Sequence, residues 1–325
     1  MHPWNQPILD SLKGRLERLP HALLLHGPRG VGKLALAETM AQLLLCEHAD
    51  LAKRPCGSCD ACRWYLAGNH PDFRRLEPEA IAKLPPAMEE EEGTGKGNEA
   101  PSTKRTKQPS LFITVDQVRD LAGFLNVGSH RGGRRIALIH PAEDLYLPNA
   151  ANALLKSLEE PPAGAIFILV SHRPARLLPT VRSRCVAIPV PIPPGEVALA
   201  WLASQKVQNA ERWLAFAGGA PLQALDYAEE AALWDRLLKT PQPVDDRESL
   251  ERLAEALQKM AYDRAFSAFG LAPKYRTGVA GAQPKSAHGW LTYARRLGED
   301  RVLTRHPLNP RLFSSELLAG IRDLT

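Results

Sequence analysis

Residues 27 to 33 read Gly-Pro-Arg-Gly-Val-Gly-Lys, the G-x-x-x-x-G-K spacing of a loop that wraps phosphate oxygens in backbone N–H groups at a helix N-terminus and adds a lysine charge. The next residue is Leu34, where a nucleotide hydrolase places the Ser or Thr hydroxyl that ligates Mg²⁺. A leucine cannot coordinate a cation. Gly27, Gly30, Gly32 and Lys33 are therefore candidate phosphate-binding groups in a loop that lacks one catalytic part.

A second cluster is built from Cys46, Cys56, Cys59 and Cys62. The C-x-x-C-x-x-C spacing brings three thiolates round a tight turn, which Gly57 frees, and Cys46 at the end of the preceding helix adds a fourth. The start, Met1-His2-Pro3-Trp4-Asn5, has no basic segment leading into an apolar one, so a cytoplasmic protein is expected. In that compartment clustered cysteines favour metal over disulfide. Four thiolates close a tetrahedral Zn²⁺ site with no position for water, which implies a structural metal; reduced thiols or an iron–sulfur cluster are the alternatives. Cys185, alone, is expected to be a small buried hydrophobe.

The elements that must position these groups follow from the apolar pattern. Ala22-Leu23-Leu24-Leu25 reads as a buried strand and Leu34 to Leu45 as a helix, so the glycines sit at a strand-to-helix turn as the motif requires. Phe73 to Leu76, Ile136 to Ile139 and Ile166 to Val170 read as further strands. Thr114 caps a helix carrying Val118, Leu121, Ala122 and Leu125, and Asn149 to Glu160 forms a helix stopped by Pro161-Pro162. This alternation implies a mostly parallel sheet with helices on both faces. Residues 85–110, with the acidic run Glu89 to Glu92 and no apolar periodicity, read as a disordered insertion. After the stiff Pro189 to Pro194 linker everything reads as helix: Glu196 to Ser204, Ala210 to Ala217, Leu222 to Leu238 and Leu250 to Phe269, with 278–289 a loop.

The strand at Ile136 to Ile139 is where a phosphate-loop ATPase carries an acidic pair, Asp for the Mg²⁺ shell and Glu to activate water. Here His140 and Pro141 stand instead. Glu143 and Asp144 follow beyond a proline that bends the chain away, and His140 is read as a tolerated histidine with no partner nearby.

At 325 residues, 44% hydrophobic and 24% charged, the chain suits two or three globular domains and needs no staples. A net charge of +5 and a pI near 9.0 agree with contact to nucleic acid without requiring it. Arg131, Arg134 and Arg135 crowd one loop and are weighed evenly as a solvated surface; Arg173, Arg176, Arg182 and Arg184 crowd another segment.

The run Asn152-Ala153-Leu154-Leu155-Lys156-Ser157-Leu158-Glu159-Glu160-Pro161-Pro162, followed by Ser183-Arg184-Cys185, closely resembles the bacterial clamp-loader branch of the AAA+ ATPases. With the phosphate loop and the four-cysteine module in the same order, the resemblance covers residues 1 to about 235. His306 to Leu312 is also similar to the family's C-terminal tail. The resemblance implies an α/β fold: a P-loop AAA+ parallel-sheet domain over 1–189, a small helical lid over 190–237 and an all-α C-terminal collar domain over 238–325.

It also implies a role for Arg184, the trans arginine finger that reaches the γ-phosphate of ATP bound by a neighbouring subunit. A planar, permanently charged fork suits the spread charge of phosphoryl transfer. Arg182 has no motif behind it. Active family members carry Thr after the loop lysine, an Asp-Glu pair after the strand and an Arg in the lid helix; this chain has Leu34, His140-Pro141 and the apolar Leu222. Three supports of hydrolysis are absent together. ATP is expected to bind weakly or not at all, since phosphate cradling does not itself require the metal. The implied partners are the delta subunit and gamma or tau subunits of a hetero-pentamer, and through it the sliding clamp and primed DNA; no membrane is involved. That assembly belongs to a DNA-directed DNA polymerase, a nucleotidyltransferase, though no polymerase carboxylate constellation is visible in this chain. The rival readings are an active ATPase of the gamma/tau type and a zinc-dependent DNA-binding module on an ATPase scaffold.

Overall fold

The computed structural model describes residues 1–82, 109–130, 133–278, 287–304, 308–322 and 324. The expected insertion at 85–110 lies outside the described residues apart from Pro109 and Ser110, as do Arg131, most of the 278–289 loop and His306-Pro307. Two compact units are present: Met1–Gly27 with Lys33–Val190, and Pro28–Gly32 with Pro191–Thr325.

The first unit is built on five parallel strands in the order β2-β3-β4-β1-β5. They are β1 (Ala22–His26), β2 (Phe73–Leu76), β3 (Arg135–Ile139), β4 (Ala165–Ser171) and β5 (Val186–Pro189). β3 and β4 are buried along their whole length, which is why they read as unbroken apolar runs and not as alternating ones. Ala22, Leu24, Ala137, Ile139, Phe167 and Leu169 share one core with α4 (Val115–Asn126) and α5 (Asn149–Glu159). Each such leucine or phenylalanine contributes roughly 1.5–3 kcal/mol by leaving water. On the strands the side chains alternate, and α2 (Lys33–Leu45) packs with β1, β3 and β4 through its buried Leu36, Met40 and Leu43.

α4 starts with a capping box. The Gln117 N–H donates to Thr114 Oγ1 at 3.4 Å while the Thr114 N–H donates to Gln117 Oε1 at 2.8 Å. Such a cap stabilises a helix by about 1 kcal/mol.

Arg135 departs from the surface expectation. It is 3% exposed at the start of β3, with its guanidinium 3.4 Å from Asp72 and 4.5 Å above the Phe124 ring. Parallel pairing of β2 with β3 brings Asp72 beside it, since the Ile136 N–H donates to Asp72 O. A buried guanidinium without such a carboxylate would be too costly to keep.

The second unit is helical: α7 (Gly195–Ser204), α8 (Ala210–Phe216), α9 (Pro221–Glu229), α10 (Ala231–Lys239), α11 (Arg247–Ala268), α12 (Ala287–Leu303) and α13 (Pro310–Arg322). One core runs through it from Ala198 and Leu202 to Trp290 and Leu317. The expected single helix from Leu222 to Leu238 is two, broken at Glu230 with φ −102° and ψ 25°. Gly289 lies in α12 and not in a loop. Inside the bundle Lys259 Nζ lies 2.8 Å from Glu255 and donates to Tyr227 OH at 2.9 Å, and Arg301 approaches Glu255 at 3.3 Å. Burial pushes the Glu255 carboxyl up, but Lys259 and Arg301 pull harder and bring it to about 2. For Lys259 burial prevails over Glu255 and brings the ammonium down to about 8.

Candidate functional site

The phosphate loop begins at the carboxyl end of β1, which hands the chain to Gly27 at the sheet edge where an open α/β fold binds ligands. Gly27, Gly30 and Gly32 have φ of 150°, 81° and 82°, so the loop has the left-handed turns that side chains resist. A Cβ on Gly27 would stand 2.2 Å from the Val190 carbonyl oxygen. One on Gly30 would stand 2.6 Å from Gln223 Cβ, at the first turn of α9, and the Leu222 N–H donates to Gly30 O at 3.0 Å. The crest of the loop is thus closely packed against its own chain.

Lys33 is 2% exposed, and its Nζ donates to Gly27 O at 2.8 Å. The ammonium that would meet a phosphate is clasped by the loop's first carbonyl. Leu34 follows on α2, half-buried, with no oxygen to offer a metal.

His140 and Pro141 follow directly after β3. The reading of His140 as lacking a partner nearby needs correction: its ring lies 5.3 Å from that of His172, edge to face at 84°. His172 follows β4, the neighbour of β3 in the sheet, so only the strand order brings the two imidazoles together. Glu143 turns to the same place, where its carboxylate accepts the His172 N–H at 2.9 and 3.2 Å. That carboxylate braces a loop, and the buried Asp144 lies in the short turn beside it. Where a hydrolase gathers acids for Mg²⁺, this chain places two imidazoles and one carboxylate that already accepts the His172 N–H.

Arg184 stands elsewhere in the unit, just after α6 (Pro179–Ser183). Its side chain is 36% exposed. The guanidinium donates to Thr180 O at 3.2 Å and Ser183 Oγ at 3.4 Å, and pairs with Glu159 Oε1 at 2.5 Å. Arg182 is exposed on the same short helix. Cys185, next in sequence, is partly buried against the α4–α5 core, and burial pushes its thiol up to about 11.

The four clustered cysteines come together at the end of α2 and the start of α3 (Asp60–Leu66). Their sulfurs all lie within 4.8 Å of one another, with Cys46–Cys59 at 3.9 Å and Cys56–Cys62 at 4.0 Å. A tetrahedral zinc with bonds of about 2.3 Å needs sulfurs about 3.8 Å apart, so the donor set fits a metal. Backbone amides prepare it: the N–H groups of Cys56, Cys59 and Cys62 donate to the sulfurs of Cys46, Cys56 and Cys59 at 3.4, 3.3 and 3.4 Å. The Ser58 hydroxyl, with the Ser58 and Cys59 amides, draws the Cys56 thiol down to about 5, whereas burial pushes Cys62 up to about 12 and Cys46 upward. A divalent cation bound there would overcome that burial cost by stabilising all four thiolates together.

A family model described as DNA polymerase III, delta subunit, matches residues 5–193, more than half of the chain. The chain belongs to the DNA polymerase III delta-prime family. It is 42% identical to the DNA polymerase III subunit delta' of Pseudomonas aeruginosa over 228 residues, 69% of this chain and 60% of that one. To the delta' subunit of Yersinia pestis it is 34% identical over 261 residues, 79% of this chain and 67% of that one. The chain thus spans about 60 to 67% of the length of the curated relatives it matches. A solved structure of a DNA polymerase III gamma subunit-related protein from Thermotoga maritima aligns over 97% of this chain and 99% of that one, at 19% identity and a TM-score of 0.43. Among the described residues, no helix is long and apolar enough to cross a membrane.

Proposed function

We propose that this chain serves as the delta-prime component of a clamp loader. In this role it hydrolyses no ATP itself and supplies Arg184 as a trans arginine finger to ATP held by a neighbouring subunit. The observation that carries the reading is the state of its own loop: Lys33 Nζ is buried on the Gly27 carbonyl, and Leu34, His140 and Pro141 fill the positions that should hold Mg²⁺. Phosphoryl transfer needs positioned cations more than covalent chemistry, so a chain without a metal shell contributes best by lending a cation outward. Membership of the delta-prime family supports the assembly with delta and gamma or tau subunits, acting on a sliding clamp at primed DNA. The chain then divides into an AAA+ domain over 1–189, a lid over 190–237 and a collar over 238–325, the last two packed round the core that runs from Ala198 to Leu317.

The four-cysteine site holds zinc in this reading and is structural, because four protein ligands leave the metal no open position. Cys62→Ser should remove the stoichiometric zinc found by elemental analysis and speed amide exchange in the 46–66 segment, while Cys185→Ser leaves the metal content unchanged.

The functional test is photocrosslinking of an azido-ATP to the reconstituted complex. Label is expected on the gamma or tau subunits and not on this chain. Hydrolysis by the isolated chain, lost in Lys33→Ala, would instead establish an active ATPase of the gamma/tau type.

A further inference from the structure

The arginine that is offered outward is held at rest by a carboxylate of its own chain. Glu159, the last residue of α5, pairs with the Arg184 guanidinium at 2.5 Å, and both side chains are accessible, 46% and 36% exposed. A second arm of the same fork is tied to the Thr180 carbonyl in the single turn of α6 at 3.2 Å, a helix too short to satisfy its own carbonyl oxygens. α5 packs against α6, so the glutamate is delivered to the arginine by the scaffold and not by a chance surface encounter.

We propose that Glu159 is a parking residue for Arg184, and that engagement of ATP on the neighbour requires the fork to leave this carboxylate. The proposal rests on the arginine-finger reading above. A guanidinium recognises carboxylate and phosphate with the same planar donors, so the two acceptors compete for it. While Glu159 holds one terminal nitrogen, its negative charge also repels an approaching γ-phosphate. The parked state is weakly held, because an exposed pair stabilises little, and it sets a threshold that assembly on DNA readily overcomes. Glu159 itself touches no substrate and is a positioning residue.

The test uses the reconstituted clamp-loader complex, assayed without DNA and then with clamp and primed DNA. With Glu159→Gln, the basal ATP turnover should rise about twofold to fivefold with the KM for ATP unchanged, the size expected when an exposed ion pair is removed. The stimulated rate should stay the same, because Arg184 has already left Glu159 there, so the stimulation ratio falls by the same factor. Glu159→Asp, which keeps the charge on a shorter stem, should lie between. The gain must also depend on the arginine: the double variant with Arg184→Ala should equal Arg184→Ala alone. A fall of both rates with Glu159→Gln would mean that the glutamate aligns the finger and does not park it, and an unchanged ratio would mean that the pair is inert; either result overturns the proposal. If Arg184→Ala itself leaves both rates unchanged, the arginine-finger reading has failed, a result separate from any behaviour of Glu159.

Discussion

Lys33 and Arg184 carry the same charge on the same α/β unit, and their surroundings are opposite. Lys33 is 2% exposed and held by the carbonyl of its own loop; Arg184 is 36% exposed and held by an accessible carboxylate, the Thr180 carbonyl and the Ser183 hydroxyl. Extracting the first means leaving a buried hydrogen bond in a loop closely packed at Gly27 and Gly30, whereas releasing the second costs about what a surface ion pair is worth, 0–1 kcal/mol. The difference supports the proposed assignment, in which Arg184 is the cation that changes partners. A group that must reach another molecule has to be cheap to release, and only Arg184 meets that condition.

The sharpest way to break the comparison is to remove the outward cation. Arg184→Ala in the reconstituted complex should slow hydrolysis at the site it serves by about 10³-fold, the low end of what arginine fingers contribute. Assembly, followed by size-exclusion chromatography, should stay intact because the side chain is exposed. An unchanged single-turnover rate at that site would end the assignment.

A smaller effect probes the inward side. Gly30→Ala meets both φ 81° and Gln223 Cβ at 2.6 Å, so the isolated chain should lose about 2–4 kcal/mol in urea unfolding without any nucleotide present. In a loop that kept its glycine only for a phosphate, the same substitution would disturb nucleotide binding and leave the empty protein's stability nearly unchanged. A loss below about 0.5 kcal/mol would mean that the crest is not closed on α9 as the geometry indicates.

Much of this scaffold is written in short-range pattern. Ala22–Leu25, Ile136–Ile139 and Ile166–Val170 are apolar on both faces because both faces are covered, and Thr114 with Gln117 announces the start of α4. The cysteine cluster is equally local, since a turn and a helix end suffice to bring its sulfurs together. What stayed hidden depends on strand order. The His140–His172 contact and the Arg135–Asp72 pair both require β3 to lie between β2 and β4, and no spacing within either segment records that. β5 was hard to see for a different reason: it is a short edge strand, with Val186 half exposed, and so lacks a buried apolar run. The break at Glu230 between α9 and α10 carries neither Gly nor Pro, and the apolar spacing runs straight through it. Glu159 sat in plain view within the motif, but its partner could be named only when α5 and α6 were seen packed together.

The smallest effect makes the most specific demand. In a working phosphate loop the lysine holds the β- and γ-phosphates, so its removal abolishes hydrolysis. Here Lys33→Ala should change the ATPase of the complex by less than about twofold, because the ammonium donates to the loop's own carbonyl and, on the proposed reading, turnover belongs to the neighbours. The cost should appear in folding: the Gly27 carbonyl loses a charged donor in a buried place, and thermal or urea unfolding should report a loss of about 1–3 kcal/mol. Lys33→Met, which restores apolar volume but no donor, should recover the packing part of that loss and leave turnover equally untouched. If either variant silenced the complex while remaining folded, Lys33 would be reaching a phosphate after all. The contrast with Arg184 would then reflect only the resting state, and both cations would have to be counted as working parts.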